Sequence, residues 1–236
     1  MNTRPAGIPA SFESETEARE RVTSFLRGVY GWMCLGLAVT AGVAVGVAGS
    51  ESAVQTLVTN RFLFFGIVIA ELGLVFYLSA RVASLAAGTA SLLFLVYSAL
   101  NGVTLSLILL AYTGESVANA FFVSAGMFGA LALYGTVARR SLAGVGQFAF
   151  MGLVGMILAS IVGMFWQNET LQLVIPIVGV IVFTGLTAWD AQRLKQMALA
   201  LPEGQVGAYT VVGALSLYLN FINLFLSLLR LFGNRR

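Results

Sequence analysis

Asp190 is the only aspartate in the chain, and it directly follows an uncharged run from Thr170 to Trp189. An ionised side chain at the centre of a bilayer costs at least about 2.5–3.5 kcal/mol. A carboxylate retained in or beside such a run is therefore a candidate for handling a proton or a cation. Glu71 is the second candidate, because it interrupts the otherwise apolar stretch from Phe62 to Ala80. A third set is neutral: Gly213, Ser216, Asn220, Asn223 and Ser227 lie at offsets 0, 3, 7, 10 and 14, with Arg230 three residues further on. That spacing keeps them on one face of a helix. With Leu, Phe, Val and Ile elsewhere, the polar stripe must face protein or water, which makes the last helix central. The structural reading of the same stripe is interhelical hydrogen bonding, typically worth about 0.6 kcal/mol per contact. Tyr97, Asn101 and Thr104 share a face at i, i+4 and i+7 and read first as structural hydrogen bonding. Arg81, just past an apolar run, reads as a topology anchor at the same end as Asp190, where the two could pair.

Other chemistries lack their residues. The chain has no histidine and a single cysteine, Cys34. This excludes a disulfide framework, thiolate or imidazole zinc sites, and Ser-His or Cys-His catalysis by this chain alone. Glu71 and Asp190 could form an acid–base pair only if something fixed their approach, and nothing in the sequence does. No enzymatic activity, cofactor or firm metal site is expected, beyond Asp190 as a possible Ca2+ contact. A net charge of +3 from 13 basic and 10 acidic residues is too sparse for a nucleic-acid surface.

The elements that must position these residues follow from the composition. Of 236 residues, 58% are hydrophobic and 10% charged, against about 25% charged in a soluble domain. The solvent must be lipid. The charged residues divide the chain into seven uncharged or nearly uncharged runs: Gly28 to Ser50, Phe62 to Ala80, Val82 to Gly114, Ser116 to Ala138, Ser141 to Asn168, Thr170 to Trp189 and Gly204 to Leu229. About 20 apolar residues cross a hydrocarbon core, so each run can be one span. The end of the third, with the residue after it, Ala111-Tyr112-Thr113-Gly114-Glu115, has turn chemistry and reads as a loop. Residues 1–27 read as a solvated cytoplasmic tail that becomes helical towards Arg27, residues 28–231 as the seven-helix membrane domain, and 232–236 as a C-terminal tail. Gly42 and Gly46 have the small-xxx-small spacing that lets membrane helices pack closely.

With seven spans, nine basic residues fall on the N-terminal side and four on the other, which puts the N-terminus in the cytoplasm. Arg235 and Arg236 are discordant with that rule. Six spans and a re-entrant last segment would remove the conflict. If the sixth helix runs to about Met197 and the seventh starts near Tyr209, Asp190 and Asn220 lie about 10 and 16 Å along their helices, and staggered antiparallel helices could bring them together.

The residues also carry a resemblance. Thr187-Ala188-Trp189-Asp190-Ala191-Gln192-Arg193-Leu194-Lys195, with Ala214-Leu215-Ser216-Leu217-Tyr218-Leu219-Asn220-Phe221-Ile222-Asn223-Leu224-Phe225 and Leu228-Leu229-Arg230, resembles the Bax inhibitor-1 family. The likeness extends to Val29-Tyr30-Gly31-Trp32-Met33, Tyr97-Ser98-Ala99-Leu100-Asn101-Gly102 and Gly126-Met127-Phe128-Gly129-Ala130. The chain looks like a bacterial inner-membrane member. The resemblance implies an all-α bundle in which the last of seven helices is surrounded by the other six. It also implies a pH-sensitive calcium leak, gated by two aspartates that share a proton with an arginine of the second helix nearby. Asp190 matches the first aspartate and Arg81 is the match for the arginine. At the second position the family's usual aspartate is replaced by Asn220, a neutral group that can donate to Asp190 but cannot share a proton with it as a second acid would. The expectation is weakened or acid-shifted pH gating and poorer calcium binding, with Glu71, Asn101, Ser216 and Asn223 as secondary polar lining. The resemblance implies a competing role as well: a non-conducting protein that modulates a membrane protease or a stress pathway.

Overall fold

The computed structural model describes residues 10–165, 169–202 and 205–236, except for the side chains of 10–14 and of Met164. Arg4, Pro5 and Pro9 of the expected tail, and Glu203 and Gly204 of the last turn, lie outside the described residues. The described elements are helices: α1 (Ala10–Ala48), α2 (Glu51–Thr59), α3 (Arg61–Arg81), α4 (Ala87–Ala111), α5 (Gly114–Val137), α6 (Ala143–Phe165), α7 (Glu169–Ala200) and α8 (Val206–Phe232), with a 3-10 turn at Val82–Ser84. All but α2 are long and apolar enough to cross a membrane, so the bundle is all-α with seven spans. Their outward faces carry large apolar side chains, among them Phe76, Phe122, Leu133, Phe148 and Met151. A soluble protein could not present such a belt to water, whereas lipid accepts it.

The helix ends follow the polar residues. Asn60 closes α2 and opens α3, its Oδ1 accepting from the Leu63 N–H at 3.0 Å. Thr113 caps α5, its Oγ1 accepting from the Ser116 N–H at 3.3 Å. These side chains satisfy donors that a helix start leaves open. Of the loop expected over Ala111 to Glu115, only Tyr112 and Thr113 lie outside the helices, between α4 and α5.

Three features differ from the sequence reading. The first helix is described from Ala10 onward, and Phe25 and Leu26 are buried, so the described part of the segment read as tail is helical and continuous with span one. The short helix α2 was not anticipated. Gly42 and Gly46 face open space, and the close α1–α4 approach is made instead at Gly102, where a Cβ would stand 2.7 Å from the Thr40 carbonyl oxygen.

The core is built on α8. Of its most apolar stretch 72% is buried, against 39% for α7 and 11% for α3 and α6. It packs on α1, α4, α5 and α7, and more lightly on α3, while α6 leans on α7. The helix with the polar stripe is thus the one most withdrawn from lipid, as the cost of exposing polar groups there requires.

Candidate ion-path site

Asp190 and Asn220 meet. The Asn220 Nδ2 donates to Asp190 Oδ2 at 2.8 Å across the α7–α8 interface, with the two residues 8% and 5% exposed. Asp190 lies ten residues before the end of α7 and Asn220 fourteen residues after the start of α8. At about 1.5 Å per residue the ends are offset by about 6 Å, so the stagger that the contact needs is present. Asp190 also lines a cavity of about 180 Å3 with Ser79, Arg193, Tyr209, Gly213 and Ser216. A space of that size can hold several waters beside the carboxylate.

The cation in this cavity is Arg193, not Arg81. Arg193 sits one turn after Asp190 and is held over the Trp189 ring at 5.4 Å, a cation–π contact that fixes its direction. Arg81 is at the same end of the bundle, and its neighbours Ser79 and Val82 line the cavity, but its own side chain is exposed outside it. The end of α3 turns it outward, whereas Arg193 shares the helix of Asp190.

Of the stripe, Ser216 borders the cavity and Asn220 bonds Asp190. Below them Asn223 Nδ2 donates to the Leu219 carbonyl at 2.8 Å and Ser227 Oγ to the Asn223 carbonyl at 2.7 Å. These two therefore satisfy themselves on their own helix. The stripe ends at Arg230, which lines a second, larger cavity of about 720 Å3 at the opposite end of the bundle.

Glu71 and Asn101 belong to a separate network on the other side of α8. Thr104 Oγ1 donates to Glu71 Oε1 at 3.1 Å, and the Tyr218 hydroxyl donates to Asn101 Oδ1 at 3.0 Å. Tyr218 also meets Thr40 Oγ1 at 2.6 Å, and Thr40 reaches the Ser98 carbonyl at 2.8 Å. Phe94 and Tyr97 pack edge-on against the Tyr218 ring, both at 5.7 Å between centroids. Tyr218 is two residues from Asn220, so the two side chains leave α8 in nearly opposite directions. Three helices, α1, α4 and α8, are tied through this one hydroxyl, which a hydropathy pattern hides because it counts tyrosine as apolar.

Gln192 was also missed. Its Oε1 accepts from the Leu142 N–H at 2.7 Å, and its Nε2 donates to the carbonyls of Arg140 and Ala138 at 2.9 and 3.3 Å. Lys195 Nζ adds a bond to the Thr136 carbonyl at 2.8 Å. The helix that holds Asp190 is thereby clamped to the α5–α6 connection. A glutamine two residues from the aspartate, on a helix face that does not touch the stripe, was the available signal. Among the described residues no enclosed side-chain nitrogen or oxygen lacks a partner, and no three Cys, Asp or Glu side chains converge as a metal cage.

The family model described as "Inhibitor of apoptosis-promoting Bax1" matches residues 22–236. The chain is 47% identical over 227 residues to "Inner membrane protein YbhL" of Escherichia coli (strain K12), covering 95% of this chain and 97% of that one. It is 39% identical to an uncharacterised protein of Deinococcus radiodurans, covering 94% and 95% of the two chains. With an uncharacterised protein of Caulobacter vibrioides it is 38% identical, covering 97% and 95%.

Proposed function

The chain belongs to the Bax inhibitor-1 family, and from that premise we propose that this multi-pass inner-membrane protein is a cation leak, with Ca2+ as the ion passed. The observation that carries the reading is the buried bond from Asn220 to Asp190, closing the α7–α8 seam beside a cavity with room for several waters. Passage of a hard cation needs oxygen ligands along the way and a block that can be withdrawn. Asp190 supplies the charged oxygen, Ser216 a neutral one, and the Asn220 amide is the block. In this reading the cavity with Asp190 opens to the cytoplasm, where the count of basic residues puts the N-terminus.

Asn220 shapes the regulation. Two facing carboxylates cannot both ionise at close range and so hold a proton between them. A carboxylate facing an amide has no such coupling, so pH gating is weak. With a single carboxylate at the neck, calcium is held briefly rather than stored. No reaction chemistry is assigned to the site. The test is Ca2+ entry into proteoliposomes containing the full chain: Asp190→Ala should abolish the flux while the protein still folds and reconstitutes.

A second reading rests on the same substitution. With Asn220 in place of a second acid, and the seam closed by a hydrogen bond, the bundle could act without conducting, as a modulator of a membrane protease or a stress response. Wild-type proteoliposomes that pass no cation at any pH would favour it.

A further inference from the structure

The cavity of about 720 Å3 at the far end of α8 is not used by this reading. It lies where α6 ends, α7 begins and α8 ends, which is headgroup depth for a bundle that spans the bilayer. Its cationic rim is Arg230, in the last turn of α8, and Arg235. Arg235 belongs to a tail that does not hang free. The Thr113 N–H donates to the Asn234 carbonyl at 3.1 Å, the Arg236 N–H to the Ala111 carbonyl at 3.0 Å, and the Asn234 N–H to Ser116 Oγ at 3.0 Å. The Arg235 guanidinium lies over the Tyr112 ring at 5.9 Å. Backbone pairing therefore holds this arginine at the cavity, and this is the tail whose charge conflicts with the positive-inside count.

The lining also supplies acceptors. Glu169 and Gln172 lie in it one turn apart, and Pro176 lies four residues after Gln172. A proline has no N–H to give to the carbonyl four residues back, so the Gln172 carbonyl loses its helical partner. The rest of the wall is mostly apolar, with Leu171, Leu173 and Ile175. It continues into lipid-facing side chains of α6 and α7, including Ile161 and Val174. Two guanidinium groups suit a phosphate, a carboxylate with a carbonyl that has lost its i+4 donor suits a primary ammonium, and the apolar wall suits acyl chains.

We infer that this cavity binds the headgroup of an aminophospholipid, with the phosphate at Arg230 and Arg235 and the ammonium at Glu169 and the Gln172 carbonyl. The inference does not depend on ion conduction.

The test is native mass spectrometry of the full chain released from detergent with phosphatidylethanolamine, phosphatidylglycerol or inorganic phosphate added. Loss of charge-assisted bonds predicts about tenfold or greater loss of both lipids in Arg230→Gln/Arg235→Gln, relative to Arg236→Gln, a change outside the cavity. Glu169→Gln should keep lipid binding but lose the preference for ethanolamine over glycerol. If the double variant does not fold, Arg235→Gln alone carries the comparison, since it lies in the tail. Equal lipid retention in the arginine variant and Arg236→Gln would overturn the inference. So would no preference for ethanolamine in the wild type, or displacement of the lipid by millimolar inorganic phosphate, which would make this a free-anion site.

Discussion

Replacing Asn220 by aspartate puts a second carboxylate where an amide nitrogen now lies 2.8 Å from Asp190. At that separation, and with an effective dielectric of about 20, two unit charges repel by about 6 kcal/mol. The pair would relieve this by holding one proton across the neutral range, and the shared proton would restore a bond of the present length. Removing that proton at higher pH would drive α7 and α8 apart at the seam. The wild type has no such device, because an amide does not titrate. Calcium entry into proteoliposomes, measured from about pH 6 to pH 8, should vary about twofold or less for the wild type and tenfold or more for Asn220→Asp, a tenfold change needing only about 1.4 kcal/mol of that repulsion. Superimposable flux–pH curves for the two proteins, both folded and equally reconstituted, would refute the reasoning that this contact is the gate.

Further expectations concern the scaffold. Gln192→Ala removes three hydrogen bonds to the α5–α6 connection; trypsin should cut at Arg139 or Arg140 several-fold faster, and stability should fall by about 1–3 kcal/mol. Tyr218→Phe keeps the ring packing but withdraws the hydroxyl shared by Thr40 and Asn101; a loss of about 1–2 kcal/mol in detergent unfolding is expected, with calcium flux retained. Gly135→Ala forces a methyl group onto the Ala188 carbonyl on the α5–α7 contact; the expected cost is about 1–3 kcal/mol, read as a lowered thermal midpoint.

The seven spans were legible because charge is so costly in hydrocarbon that the few ionised residues must sit at the ends of the helices. Glu71 and Asp190 broke that rule, and the structure gives each a partner, in Thr104 and in Asn220. The meeting of Asp190 and Asn220 was legible as well, since helical spacing fixes the face and an antiparallel return fixes the depth to within a turn. What sequence could not give was direction at the ends of helices. Arg81 was the arginine expected beside Asp190, and Arg193, on the same helix as the carboxylate, was not considered for that place. Helix α2, a single amphipathic stretch between Ser50 and Asn60, carried too few residues to register against the long spans on either side. Tyr218 was hidden because its partner Thr40 is 178 residues away, and no periodicity connects the two.

The account rests on Asp190 and Asn220 acting as one unit, and a double-mutant cycle on calcium flux tests that most directly. Asp190→Ala should abolish the flux, Asn220→Ala should raise it, and the double variant should match Asp190→Ala, because a latch has nothing to release once the carboxylate is gone. Independent effects that simply add, or a double variant that still conducts, would contradict it.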